Sequence, residues 1–126
     1  MNYKAQIDLA AIVRNKLKNR WQKVIYRLWI AKLLNDYYYL KSGLDTSIIR
    51  GWLPVRALRG TWIGDCADRG LREAREHFPF HLIKKIHEWD CYGNKKRTYI
   101  YSLNCELTKE DWDQILDINR HYIYKG

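Results

Sequence analysis

RGLREAREHFPFHLIKKIHEWDCYGNKKRTYIYSL, residues 69–103, begins with arginines at helical spacing and ends in a run whose large side chains alternate. Phe78–Pro79 divides the two halves, because proline has no N–H to donate and its ring clashes with the preceding turn of a helix. Upstream, Asp65 is an acceptable N-cap, and Ala67, Leu71, Ala74 and Phe78 recur at intervals of four, three and four as one inward stripe. Downstream, His81–Trp89 is rich in Ile, Leu and Trp, and Thr98–Leu103 sets Tyr99, Tyr101 and Leu103 on one face at a period of two. Gly93–Asn94, inside DCYGNKKR, is the turn signal that joins these runs as a β-hairpin with Lys95, Lys96 and Arg97 at its tip.

Just before this stretch, Pro54 suits a first helical position, with Val55, Ala57 and Leu58 as an inward face until Gly60 stops a helix of about two turns. Gly60–Gly64 then reads as a turn. A short helix, a glycine turn, a second helix and a hairpin with a basic loop is the layout of a winged helix-turn-helix, whose second helix enters the major groove while the wing meets phosphates. GWLPVRALRG, CADRGLREAR, HLIKKI and GNKKRTYIYSL, between residues 51 and 103, resemble the helix-turn-helix domain of small phage and prophage DNA-binding proteins. The matching positions are Leu58, Leu71, Ala74, Arg75, Ile83, Gly93, Arg97, Tyr99, Tyr101 and Leu103. They are core and turn residues, so the resemblance implies the fold more directly than the function.

Residues 8–42 contain neither Gly nor Pro, which predicts one long helix, or two with a break near Asn15–Asn19, starting from Asp8 as N-cap. Val13, Leu17, Trp21, Val24, Leu28 and Ala31 form one apolar stripe, and Ile25, Trp29, Leu33 and Tyr37 a second beside it. Ser42–Gly43 closes that element, and Asp45 or Thr46 is expected to cap a short turn through Ile48 and Ile49. Near the end, Thr108 with Asp111 three residues on is a capping-box pattern, Leu107 is placed to staple onto Trp112, and Ile115, Leu116 and Asn119 continue the stripe. The expected class is α+β, mainly helical: a winged helix-turn-helix over 45–104, a basic aromatic-rich helix or helix pair over 1–44, and a C-terminal helix over 105–126, in a single domain.

The chain carries a net charge of +9, divided as +7 over 1–44, +4 over 45–104 and −2 over 105–126. Such a charge attracts phosphates, acidic proteins or anionic lipid. Cys66, Cys91 and Cys105 are an odd set without paired spacing, and no leader pattern precedes them, so a reducing cytoplasm, that of a bacterial host, is expected and no disulfide. LWIAKLL at 28–34 is too short to span a membrane and contains Lys32, so no membrane role is expected. His77, His81, His87 and Cys91 lack metal-ligand spacing, no acid is followed two residues later by Lys, and no Walker, dinucleotide or Gly-x-Ser-x-Gly pattern occurs. Neither a cofactor, a metal nor an enzyme activity is expected.

Arg69, Arg72 and Arg75 on the second helix are candidates to reach base edges, with Arg56, Arg59, Lys95, Lys96 and Arg97 on phosphates of double-stranded DNA. The competing reading of the helical arginines is a solvated face in which they pair with Asp65, Asp68, Glu73 and Glu76 at spacings of three and four. Trp21, Trp29, Tyr37 and Tyr38 either anchor a homodimer or another partner through the N-terminal helices, or fill the core. A DNA-binding regulator or accessory factor of phage type is therefore the leading expectation; the alternative is a protein-binding winged helix that engages a host protein.

Overall fold

The computed structural model describes residues 2–42, 45–59, 62–64, 67–77, 83–88, 98–103 and 106–117. Its class is α+β, with five helices and two antiparallel sheets among the described residues. Asp65, Gly60, Phe78–Pro79, the hairpin tip with Gly93–Asn94, the three cysteines and Asn119 lie outside that description.

The N-terminal region forms two helices, α1 (Tyr3–Arg14) and α2 (Arg20–Leu33), separated where the asparagines predict a break. Helix α1 starts earlier than Asp8: Asn2 is the N-cap, its Oδ1 accepting from the Ala5 N–H at 2.8 Å. Asx side chains satisfy an otherwise unpaired first-turn amide, and Asn2 lies nearer the chain start than the apolar periodicity revealed. Helix α2 is capped by a residue that reads from sequence as ordinary helix. Gln22 Oε1 accepts from the amides of Lys18 and Asn19 at 2.9 and 3.1 Å, while its Nε2 donates to the Ile115 carbonyl at 3.0 Å. A buried amide group is tolerated there because both of its ends are bonded.

The expectation of helix up to residue 42 is corrected. Helix α2 ends in a Schellman motif centred on Asn35, which takes the left-handed conformation at φ 55°. Asp36 N donates to Ala31 O at 2.9 Å and Asn35 N to Lys32 O at 3.3 Å. This is the C-cap chemistry usually supplied by glycine, with asparagine in its place. Beyond it, strands β1 (Tyr37–Ser42) and β2 (Asp45–Arg50) pair antiparallel from Tyr37 opposite Arg50 to Ser42 opposite Asp45. Asp45 and Thr46 are thus strand residues rather than caps of a turn. Three consecutive tyrosines, paired in register with Arg50, Ile49 and Ile48, favour a pleated pair, since aromatic and β-branched side chains lose little freedom in strands.

A left-handed Gly51 (φ 76°), its N–H donating to Asp36 O at 2.8 Å, returns the chain to strand β3 (Leu53–Pro54). Pro54 belongs to this edge strand, and helix α3 (Val55–Leu58) is one turn rather than two. Helix α4 (Ala67–His77), strand β4 (Ile83–Glu88) and strand β5 (Thr98–Leu103) follow, and the three-stranded sheet has the order β3-β5-β4. Edge placement suits Pro54, which has no amide to give a further neighbour. Helix α5 (Lys109–Asp117) begins with the expected capping box: Thr108 N donates to Asp111 Oδ2 at 2.8 Å and Asp111 N to Thr108 Oγ1 at 3.2 Å. Leu107 and Trp112, the expected staple pair, are both buried.

One core joins these elements, with α2 at its centre. Trp29 lies 5.2 Å from Trp112 and 6.0 Å from Tyr26 between ring centroids, and the Tyr26 hydroxyl donates to Ala10 O at 3.1 Å, fastening α1 to α2. Burial raises the Tyr26 pKa above 10, with nearby Arg14 pulling the other way. No helix among the described residues is long and apolar enough to cross a membrane.

Candidate nucleic-acid interface

Helix α4 is held against α2 by its small residues. Ala67, Gly70 and Ala74 are buried, and a methyl group added at Gly70 would stand 2.9 Å from Val24 Cγ2. That close approach fixes which side of α4 faces outward. At about 100° per residue, Arg75, Asp68, Arg72, Glu76 and Arg69 follow one another round an arc of roughly 120°. All five are exposed, with Arg72 near the middle.

The acids of this helix do not all neutralise its arginines. Glu73 is turned inward, 7% exposed, and accepts from Arg20 Nε of α2 at 2.5 Å. Asp68 is taken by Arg59, whose Nη2 lies 3.0 Å from Asp68 Oδ2 on the solvent side. Among the described residues no ion pair joins Arg69, Arg72 or Arg75 to any of these carboxylates. The solvated-face reading, with pairs at three and four along α4, is replaced by pairs to α2 and to the residue after α3. The outward arc keeps Arg69, Arg72 and Arg75 beside Glu76, which makes no ion pair among the described residues, and beside the shared Asp68.

Arg72 and Arg75 also border a shallow cleft of about 460 Å³ between α4 and β5, floored by Leu71 and Tyr101. Tyr101 is half-buried, and its ring brings an aromatic surface to the arginine edge. In the sequence it counts only as a core-pattern residue; the alternation along β5 places it on the sheet face but cannot reveal that α4 leaves its edge open. Ile100, on the opposite face of β5, is buried.

Of the other candidates, Arg59 is exposed at the end of α3 and Arg56 occupies α3, its side chain outside the description. Lys95, Lys96 and Arg97 lie outside the described residues, within the connection between β4 and β5. Trp21 and Trp29, divided in sequence between interface and core, are 1% and 3% exposed and belong to the core. Trp21 stacks on His77 at 4.5 Å, so even the last turn of α4 rests on α2. That contact and the neighbouring chain desolvate His77 and lower its pKa below 6.5, against the raising effect of Glu73 and Glu76. Tyr37 is exposed, with the Arg50 guanidinium 5.5 Å from its ring centroid; Tyr38 stands opposite Ile49 in the β1–β2 pair, its side chain outside the description.

Among the described residues no group of His, Cys, Asp or Glu is arranged to hold a metal ion. Comparison with protein families, with characterised proteins and with solved structures gives no match.

Proposed function

We propose that residues 53–103 form a winged helix-turn-helix that binds double-stranded DNA, with α4 in the major groove and the 90–97 wing against phosphates. The element order β3, α3, α4, β4, β5 with sheet order β3-β5-β4 supports this assignment, since a winged helix closes its hairpin onto the strand before its helix pair. The observation that carries the function is the exposed Arg69–Arg72–Arg75 arc, with Glu73 withdrawn to Arg20 and Asp68 shared with Arg59. A guanidinium in a major groove donates two parallel hydrogen bonds to guanine O6 and N7. The role that follows is that of a phage-type transcriptional regulator or accessory factor. Docking on a host protein is the weaker reading, because Trp21 and Trp29, the strongest candidate anchors, are spent in the core.

Fluorescence anisotropy on labelled duplexes across a salt series tests the proposal. Affinity is expected to fall with a log–log slope of about −0.9 per phosphate neutralised. Replacing Lys95, Lys96 and Arg97 together by Ala should weaken all duplexes alike and make that slope shallower. Arg72→Ala should instead reduce the preference for a selected site by about tenfold, at the lower end of the value of a bidentate base contact. Absence of duplex binding at low salt overturns the reading.

A further inference from the structure

Helices α1 and α5 leave between them an apolar groove of about 310 Å³, floored by Leu9, Trp112 and Leu116. Ile12 stands on its α1 lip and, at 56%, is the most exposed large aliphatic side chain among the described residues. Two opposite charges flank it on the same stripe. Asp8 lies four residues before Ile12 and Lys16 four residues after, and both line the groove. The turn that follows α1, with Lys16 N donating to Val13 O at 2.9 Å, keeps Lys16 on that stripe. Neither charge has an ion pair among the described residues.

The symmetry of this arrangement names its occupant. In a two-fold crossing of antiparallel helices about Ile12, residues equally spaced on either side of it face each other across the axis. Asp8 of one chain then meets Lys16 of the other, and the same pair forms again by symmetry. A parallel pairing would instead set Asp8 against Asp8 and Lys16 against Lys16, which repel. The α5 rim adds Lys109 and Asp113, again one charge of each sign, beside the arriving helix. We infer that this groove is a self-association site in which α1 of a second copy of the chain packs antiparallel on α1, with Ile12 on Ile12 and two Asp8–Lys16 pairs. The surface involved is small, so the dimer is weak and concentration-dependent. This inference does not depend on DNA binding.

Charge exchange in the full chain tests it by sedimentation equilibrium, with far-UV circular dichroism to check the fold. The wild type is expected to show a reversible monomer–dimer equilibrium, which Ile12→Asp abolishes. Asp8→Lys alone and Lys16→Asp alone should each weaken it by about tenfold, since each turns two exposed attractions into repulsions. Asp8→Lys combined with Lys16→Asp in one chain should restore it, and mixing the two single variants should give a heterodimer. Because both charges are exposed, these variants keep the fold and the test does not rest on Ile12→Asp alone. A wild type that is monomeric at every concentration overturns the inference, as do single charge variants that associate like the wild type. A full chain that stays monomeric while one ending at Asp117 dimerises also overturns it for the native protein, and assigns the groove to residues 118–126.

Discussion

Two glutamates of one helix, three residues apart, have opposite duties. Glu73 points inward and holds Arg20, whereas Glu76 stands among the outward arginines. Glu73→Gln replaces a charge-assisted hydrogen bond at a buried site, so it should lower unfolding free energy by about 1–2 kcal/mol in urea titrations while leaving DNA affinity nearly unchanged. Glu76→Gln should leave stability within about 0.5 kcal/mol of the wild type and strengthen duplex binding, because it removes a repelling charge from the arc. Equal effects of the two changes on binding would contradict the division. His77 supplies a separate test. Its pKa is lowered, chiefly by desolvation beside Trp21, so the neutral ring is the form the fold prefers. Its contribution is therefore complete above a pH of about 6.5 and is lost as pH falls through the lower folded-state value. Glu73 and Glu76 oppose the shift and limit its size. The urea midpoint should decline on acidification from about pH 7.5 to about pH 5.5, and the decline should be shallower in His77→Phe.

At the scale of elements, the approach of α4 to α2 matters more than the helical propensity of either. Glycine in the middle of a helix costs roughly 1 kcal/mol relative to alanine, yet a Cβ at Gly70 would stand 2.9 Å from Val24 Cγ2 and 3.4 Å from the Arg20 carbonyl of α2. Val24, fully buried and stiff at χ1, has little room to yield. Gly70→Val should then lower stability by about 1–3 kcal/mol and, by pushing α4 outward, weaken DNA binding beyond what stability explains. Denaturant titration and anisotropy on the same variant check this. A variant as stable as the wild type would mean that the two helices separate freely. The boundary between α2 and β1 teaches a related point. Residues 34–42 lack Gly and Pro and so look helical, but Asn35 in the left-handed conformation and the tyrosine run together end the helix. The signal was present in sequence, in a residue that serves as a C-cap less often than glycine does.

For the molecule as a whole, α1, α2, α5 and the three-stranded sheet share one core, so they should unfold together. Trp29 touches the aromatic cluster that ties α2 to α5 and lies beside Tyr26, which ties α2 to α1. Trp29→Ala should cost about 3–5 kcal/mol and abolish the near-UV dichroism of the cluster in a single transition. Survival of native near-UV signal in that variant would show that the helices are separately stable. A two-fold pairing through α1 would further present α4 twice, as a palindromic duplex site requires. By itself the sequence determined the chemistry of local units: the break between the N-terminal helices, α4 and its buried Ala67–Leu71–Ala74 stripe, the β5 strand, the Thr108–Asp111 cap and the excess of positive charge. These depend on neighbours within a few residues, where propensity, capping and periodicity act. Only the tertiary structure decided that Trp21 and Trp29 belong inside, that Glu73 leaves the arginine arc for Arg20, that Asp68 turns to Arg59, and that Ile12 stays exposed. Those outcomes depend on how whole elements meet, and helical periodicity gives the angle of a side chain about its axis but not the partner that axis will meet.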